Sequence, residues 1–247
     1  MSKFSNKVAV VTGGNSGIGY AAAKEFVAQG AKVIITGRRK EAIEAAAREL
    51  DAIPFVADQA SLKDTASLSN MVREQFGKVD VLFVNAGIVG SGGLIAHTTA
   101  DNFDQVMDIN FRGAYFTLSK FIPLLNDGAS VVMLSSIVAT MHKPHSSVYQ
   151  ASKAALNSIA KTAAHELASR KIRVNIVSPG PTRTEILTKI GLDDASLQGL
   201  YDRLENEIPL KKMGTAGEVA QLVAYLCDDA AGFITGSEFV MDGGMTL

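Results

Sequence analysis

Tyr149 and Lys153 stand four residues apart in a segment with helical patterning, so a phenol and an ammonium share one face about one turn apart. Ser136, thirteen residues before Tyr149, follows a short apolar run that reads as a strand. Strand ends and helix starts converge at one rim of an α/β sheet, so a hydroxyl, a phenol and an ammonium can surround one small atom there. Proton transfer is the chemistry that suits such a group. An isolated tyrosine, with a pKa near 10, exchanges protons poorly at neutral pH. A neighbouring ammonium favours the phenolate and lowers that value. Tyr-x-x-x-Lys alone is weak evidence, because it arises on helices by chance.

The elements that must hold these residues are legible as alternating apolar runs and helical patterns. The runs are Lys7–Val11, Ala31–Thr36, Ile53–Ala57, Val79–Val84, Ser130–Ser135, Ile172–Val177 and Glu238–Met241. Most are rich in valine and isoleucine and apolar on successive residues, as in strands buried on both faces. Between them, Ile18–Gln29, Lys40–Leu50, Ser61–Phe76, Asp101–Leu125, Val148–Ser169 and Ala216–Cys227 have helix length. Gly30, Gly77 and Gly128 fall where helices should stop. The expected fold is α/β: a doubly wound, seven-stranded parallel sheet with helices on both faces, in one domain over 1–247. Residues 184–213 break the pattern after a strand's carboxyl end, where ligands bind, and read as a substrate lid. Ile186, Leu187, Ile190, Leu204 and Ile208 would make that lid apolar.

Thr12-Gly13-Gly14-Asn15-Ser16-Gly17-Ile18-Gly19 joins the first strand to the first helix. Glycines there let backbone approach a pyrophosphate, and the helix N-terminus offers free N–H groups to that anion. Gly13 and Gly17 are separated by three residues, where the usual dinucleotide fingerprint has one. The second strand ends in Thr36-Gly37-Arg38-Arg39-Lys40, with no carboxylate to hold the ribose hydroxyls of NAD. Three cations at a helix start oppose the helix dipole, and a bound 2′-phosphate would relieve that conflict. NADP(H) is therefore favoured through Arg38 and Arg39, with NAD(H) possible. A solvated basic turn, partly offset by Glu41 and Glu44, is the plainer alternative.

With Gly13-x-x-x-Gly17-x-Gly19, Asn85-Ala86-Gly87, Asn110, Ser136, Tyr149, Lys153 and Pro179-Gly180 in this order and spacing, the chain resembles the short-chain dehydrogenase/reductase family from Lys7 to Gly244. The resemblance implies a Rossmann fold, a nicotinamide cofactor and a catalytic tetrad of Asn110, Ser136, Tyr149 and Lys153. Tyr149 would give its proton to a carbonyl oxygen as hydride reaches carbon, and Ser136 would hydrogen-bond that oxygen. Lys153 would also hold the nicotinamide ribose, and Asn110 would bind a water of a proton relay. The resemblance places Asp58 and Gln59 at the adenine edge and Asn85, Ala86 and Gly87 beneath the adenosine ribose. Pro179, Gly180, Thr182 and Thr184 would fix the carboxamide, and transfer would run from the pro-S face. A homotetramer with two-fold axes is implied as well, for which Phe111, Tyr115, Ala155, Ile159, Ala163, Leu167 and an apolar C-terminus offer surface. The family's second asparagine before Asn-Ala-Gly is Val84 here, which puts one strand-end hydrogen bond in doubt.

Composition is consistent with an enzyme of small molecules. The net charge is −1 with cations scattered, so no basic field would attract nucleic acid or an anionic membrane. No stretch approaches the roughly 20 apolar residues of a membrane span, and a cytoplasmic protein is expected. The single cysteine, Cys227, reads as a buried, inert thiol. His97, His142, His145 and His165 lack metal-ligand spacing, although His142 and His145 would border the substrate. No metal is expected. The expected activity is reversible reduction of a small apolar ketone to a secondary alcohol. A β-ketoacyl-carrier-protein reductase is the alternative, with Arg170, Lys171 and Arg173 as candidate contacts for an acidic carrier. A dinucleotide-sensing module without catalysis is the non-enzyme alternative.

Overall fold

The computed structural model describes residues 2–184 and 193–247. Seven parallel strands form one sheet in the order β3-β2-β1-β4-β5-β6-β9. They are β1 (Val8–Val11), β2 (Lys32–Gly37), β3 (Ile53–Val56), β4 (Val79–Val84), β5 (Leu125–Leu134), β6 (Arg173–Pro179) and β9 (Glu238–Met241). Two two-residue strands, β7 (Thr182–Arg183) and β8 (Gly214–Thr215), pair with each other apart from that sheet.

Successive side chains of a strand point to opposite faces, and both faces are covered. Ala9, Val11, Ile35 and Phe83 pack against α1 (Gly17–Ala28), α2 (Lys40–Leu50) and α8 (Ala216–Cys227), through residues such as Phe26, Ile43 and Val223. Val10, Ile34, Leu82 and Met133 pack on the other side against α3 (Leu62–Phe76), α5 (Ala114–Phe121) and α6 (Ser147–Glu166), through Val72, Phe121 and Leu156. This two-sided burial is why the strand sequences are apolar at successive positions.

Chain order reverses between β1 and β4. From β1 the chain runs outward to β2 and β3, then returns to the other side of β1. The crevice beyond the carboxyl ends of β1 and β4 is the topological switch point, where open α/β sheets bind ligands. Thr12 and Asn85 follow those two strands directly.

Two expected features are corrected. The segment Asp101–Leu125 is not one helix. It is α4 (Ala100–Met107), a wider π-helical stretch at Asp108–Gly113, α5, and a 3₁₀ turn at Ile122–Leu124. Close packing accompanies the wide turn: a Cβ on Gly113 would stand 2.1 Å from the Gln59 carbonyl oxygen. Gly128 does not end a helix, because β5 already begins at Leu125. Leu125 pairs with Val79 and Ser130 with Val81, so the intervening residues bulge out, with Gly128 at φ +84°.

Of the residues expected to meet other subunits, Ala163 and Leu167 belong to the core and are not available. Phe111, Ala155 and Ile159 are half-buried and Tyr115 is exposed. Ile186, Leu187 and Ile190 of the expected lid lie outside the described residues. The part that follows is helix α7 (Asp194–Glu207), which ends at the buried Ile208. Among the described residues no helix is long and apolar enough to cross a membrane.

Candidate active site

A cavity of about 770 Å³ occupies the switch-point crevice. Its floor is the glycine loop. Gly13 and Gly17 adopt φ of +67° and +55°, values that L side chains rarely reach. Gly19 does not line the cavity. A Cβ there would meet the Gly13 carbonyl oxygen at 2.2 Å, so Gly19 lets α1 pack against the loop. Helix α1 starts without a side-chain cap from Ser16 and without an acidic residue in its first turn. By contrast α3, α4 and α8 are capped by Ser61, Thr99 and Thr215 and carry an acid there. An uncapped helix N-terminus facing a glycine-lined cavity suits a phosphate. The cavity's residues thus fit a dinucleotide: Asn15, Ser16 and Ile18 at the loop, Arg38 and Arg39 at one end, and Asn85, Ala86 and Gly87 along the wall.

At that end Arg38 and Arg39 are exposed and line the cavity, while Lys40 turns along its helix to within 4.0 Å of Glu44. No carboxylate stands at 37–39. Asp58 and Gln59 also line the cavity, but each is partly engaged. Asp58 accepts from the Ala60 amide at 2.9 Å, and the Gln59 side-chain amide donates to Thr117 at 3.0 Å.

The bond put in doubt by Val84 has a substitute. Thr12 Oγ1 accepts from the backbone amides of Asn85 and Ala86 at 3.0 and 3.1 Å, and the Asn85 side chain donates to the Thr12 and Gly13 carbonyls. Thr12 is the site residue that sequence reasoning passed over. Its signal was a polar residue at the last position before the glycine loop.

A second cavity, about 330 Å³, adjoins the first and shares Ile18, Asn85, Gly87, Leu134 and Thr184 with it. Ser136, Tyr149, Lys153, Pro179, Gly180 and Thr182 all line it. Ser136 begins the turn after β5, where its Oγ accepts weakly from the Val138 amide at 3.4 Å. Tyr149 and Lys153 project from the first turns of α6. Burial holds the Tyr149 phenol above its ordinary value of 10.0, and the hydrogen-bonded Ser136 hydroxyl pulls it the other way. Burial pushes Lys153 down to about 8. Its Nζ donates to the Leu134 carbonyl at 2.8 Å and lies 5.9 Å from the Tyr149 ring centroid. The cation therefore stands over the ring, and the opposing influence on the phenol in this structure is Ser136.

Asn110 lines neither cavity and is buried behind Gly87. Its side chain donates to the Ile88 carbonyl and to Ser152 Oγ, at 2.8 and 3.1 Å, and accepts from the Ile88 amide at 2.8 Å. Both amide protons are spent, so this side chain anchors the wall of the site. His142 and His145 are exposed and line neither cavity; their neighbours Met141 and Lys143 line the second one. Leu204 and Met245 complete its apolar wall. Cys227 is buried at the C-terminal end of α8, its thiol pushed up to about 12.

Residues 13–246 match the family described as enoyl-(acyl carrier protein) reductase. The chain is 36% identical over 257 residues to the NADP-dependent (R)-specific alcohol dehydrogenase of Lentilactobacillus kefiri, covering 99% of this chain and 98% of that one. It is 35% identical over 250 residues to a 3-oxoacyl-(acyl-carrier-protein) reductase of Staphylococcus epidermidis, covering 98% and 100%. A crystal structure of a short-chain dehydrogenase/reductase from Brucella melitensis, described as glucose/ribitol dehydrogenase, superposes with a TM-score of 0.92 at 31% identity over 99% and 98% of the two chains. Likeness in sequence and in fold thus runs the whole length, and the chain belongs to the short-chain dehydrogenase/reductase family of nicotinamide-dependent oxidoreductases.

Proposed function

We propose that this protein reduces a small apolar ketone to a secondary alcohol, and reverses that reaction, with NADP(H) as the favoured cofactor. The observation that carries the reading is Ser136, Tyr149 and Lys153 lining one small cavity that opens into the dinucleotide-sized one. A nicotinamide held between the two cavities would supply a hydride to the carbonyl carbon. Ser136 donates a hydrogen bond to the carbonyl oxygen and stabilises the charge that develops there. Tyr149 gives that oxygen its proton. Lys153, already held by Leu134, keeps two N–H groups for the nicotinamide ribose. Pro179, Gly180, Thr182 and Thr184, which line the same cavity, would hold the carboxamide. A phenol raised by burial is protonated at neutral pH, which is the form that reduction needs. A screen of NADPH and NADH oxidation across ketones, including a β-ketoacyl thioester, tests the reading. Turnover of a simple ketone is expected; activity with none would leave the dinucleotide-sensing alternative.

The carrier-protein alternative is the less favoured reading, because two of its three candidate contacts, Arg170 and Arg173, are engaged elsewhere. Arg173 begins β6 and donates to the Leu226 and Asp228 carbonyls. Arg170 pairs with Asp127 at 2.9 Å and donates to the Ile122 and Leu125 carbonyls. Pro179, at the other end of β6, is the residue that lines the substrate cavity. Arg170, Lys171 and Arg173 therefore stand a strand's length from the mouth, roughly 20 Å for seven residues.

The preference for NADP(H) rests on Arg38 and Arg39 at the ribose end and on the absence of an acid there, and the L. kefiri relative is named as NADP-dependent. Each hydrogen bond from a guanidinium to the 2′-phosphate contributes about 1.5–3 kcal/mol, or about 10- to 150-fold in affinity. NADPH should have the lower KM, and high salt should erode its advantage. Arg38→Asp should move kcat/KM toward NADH. Gly37→Asp is the poorer test, because a Cβ there meets Asn15 Oδ1 at 2.7 Å. A wild-type enzyme that already prefers NADH would mean that the arginines do not grip the cofactor.

A homotetramer is part of the same proposal, with Phe111, Tyr115, Ala155 and Ile159 at subunit contacts. Light scattering at micromolar concentration should give four times the 26.1 kDa of one chain, and the mass of one chain would contradict it.

A further inference from the structure

We propose that Arg183 is a positioning residue that holds helix α7 against the substrate cavity through Tyr201 and Glu205, and so sets where Leu204 stands in the cavity wall. The kinetic consequence rests on the carbonyl-reductase reading; the mechanical one does not.

The placement follows from strand alternation. Thr182 and Thr184 line the substrate cavity. Arg183, between them, must point the other way. Its strand is fixed by pairing with β8, Thr182 opposite Gly214 and Arg183 opposite Thr215. The Arg183 guanidinium lies 4.9 Å from the Tyr201 ring centroid and donates to Glu205 Oε1 at 2.8 Å. Tyr201 and Glu205 are four residues apart on α7, one turn of the same face, and that face carries Leu204 into the cavity wall and the buried Ile208 into the body. The C-terminal end of α7 is seated where Leu210 donates from its amide to the Gly243 carbonyl at 3.1 Å. Arg183 supplies a second point of attachment one to two turns earlier. A planar guanidinium can stack on the ring while its edge bonds the carboxylate, which an ammonium does less well. The same short segment thus turns its threonines into the substrate cavity and its arginine toward α7.

Both partners are partly exposed, at 49% and 31% of their side-chain surface, so each contact is modest. An exposed ion pair and a cation–π contact together are worth about 3- to 30-fold in an equilibrium. Arg183→Ala should raise the KM for ketone by about that factor while kcat changes less. It should relax discrimination between small and bulky ketones and leave the dissociation constant of NADPH unchanged. Hydrogen exchange across α7 should quicken by the same factor, as should tryptic cleavage after Arg203. Glu205→Ala should add little to Arg183→Ala, and the exchanged pair Arg183→Glu with Glu205→Arg should recover part of the α7 protection. Unchanged exchange in Arg183→Ala, or fully additive single substitutions, would overturn the proposal. If no ketone were turned over, the exchange measurements would still decide it, and the carbonyl-reductase reading alone would fall.

Discussion

Tyr149→Phe should lower turnover by about 10²–10⁴-fold and leave fold and cofactor affinity nearly unchanged. One hydroxyl is removed from a half-buried ring that lines the substrate cavity, and Ser136 loses the group it bonds. Ser136 and a bound cofactor would still polarise and attack a carbonyl, so a residual rate is expected. The pH dependence carries a sign. Alcohol oxidation needs the phenolate, and burial raises the phenol above 10.0, so the oxidation rate should climb through the alkaline range. Reduction needs the phenol and should hold across neutral pH. Retention by Tyr149→Phe of more than about a tenth of wild-type turnover would remove Tyr149 from the chemistry.

Lys153→Met should stabilise the cofactor-free protein while it disables the enzyme. The Lys153 ammonium is buried, and its pKa falls from 10.5 unfolded to about 8 folded. Below pH 8 both states carry the proton and the folded state bears the full cost of the buried charge. Between 8 and 10.5 the unfolded chain binds more protons, so stability rises with pH there. At pH 7 the cost is about 3 kcal/mol, since each unit is worth about 1.4 kcal/mol. Methionine removes that cost but leaves the Leu134 carbonyl unbonded, which returns about 1 kcal/mol. A net gain near 2 kcal/mol corresponds to a Tm higher by about 4–8 °C for a chain of this length. The gain should shrink toward pH 10.5, while activity falls by at least about 10²-fold. Thermal melts of both proteins at pH 7 and pH 10 check this; a lower Tm for Lys153→Met at pH 7 would contradict it. A functional lysine kept at a cost in stability is a common pattern at active sites.

The sheet was legible because its central strands are buried on both faces, so Val79–Val84 reads as an apolar run with the bounds it has, and the edge strand Glu238–Met241, although half-exposed, keeps the expected bounds too. Lys40–Leu50 and Ala216–Cys227 are also helices with the expected bounds. The wide turn at Asp108–Gly113 was not legible. Helical periodicity does not separate i→i+4 from i→i+5 bonding, and what Gly113 packs against, the Gln59 carbonyl, is distant in sequence. The start of β5 was hidden for a similar reason: Asn126-Asp127-Gly128 reads as a turn, and its neighbours join the sheet only through a bulge opposite β4.

At the site, residue types that carry chemistry were readable and residues that hold them were not. Ser136, Tyr149 and Lys153 line one cavity as their spacing implied. The Leu134 carbonyl acts through a backbone group and leaves no mark in sequence, and Thr12 holds backbone amides through a hydroxyl that only a polar residue before the glycine loop betrays. Asn110 was expected to hold a water; its side-chain amide bonds Ile88 and Ser152, partners that only the packing of the π-helical turn reveals. Arg183 sits in a segment where the apolar residues drew notice, and its partners Tyr201 and Glu205 lie 18 and 22 residues along.

The central claim is transfer of the pro-S hydride of a nicotinamide to a carbonyl carbon beside Tyr149. NADPH deuterated at the pro-S position of the ring, incubated with the wild-type protein and a ketone that it accepts, tests it most directly. The account predicts deuterium on the carbinol carbon of the alcohol product and unlabelled oxidised cofactor. Deuterium retained on the oxidised ring, with hydrogen at the carbinol carbon, would contradict the placement of the carboxamide against Pro179, Gly180, Thr182 and Thr184 and the direction of transfer built on it.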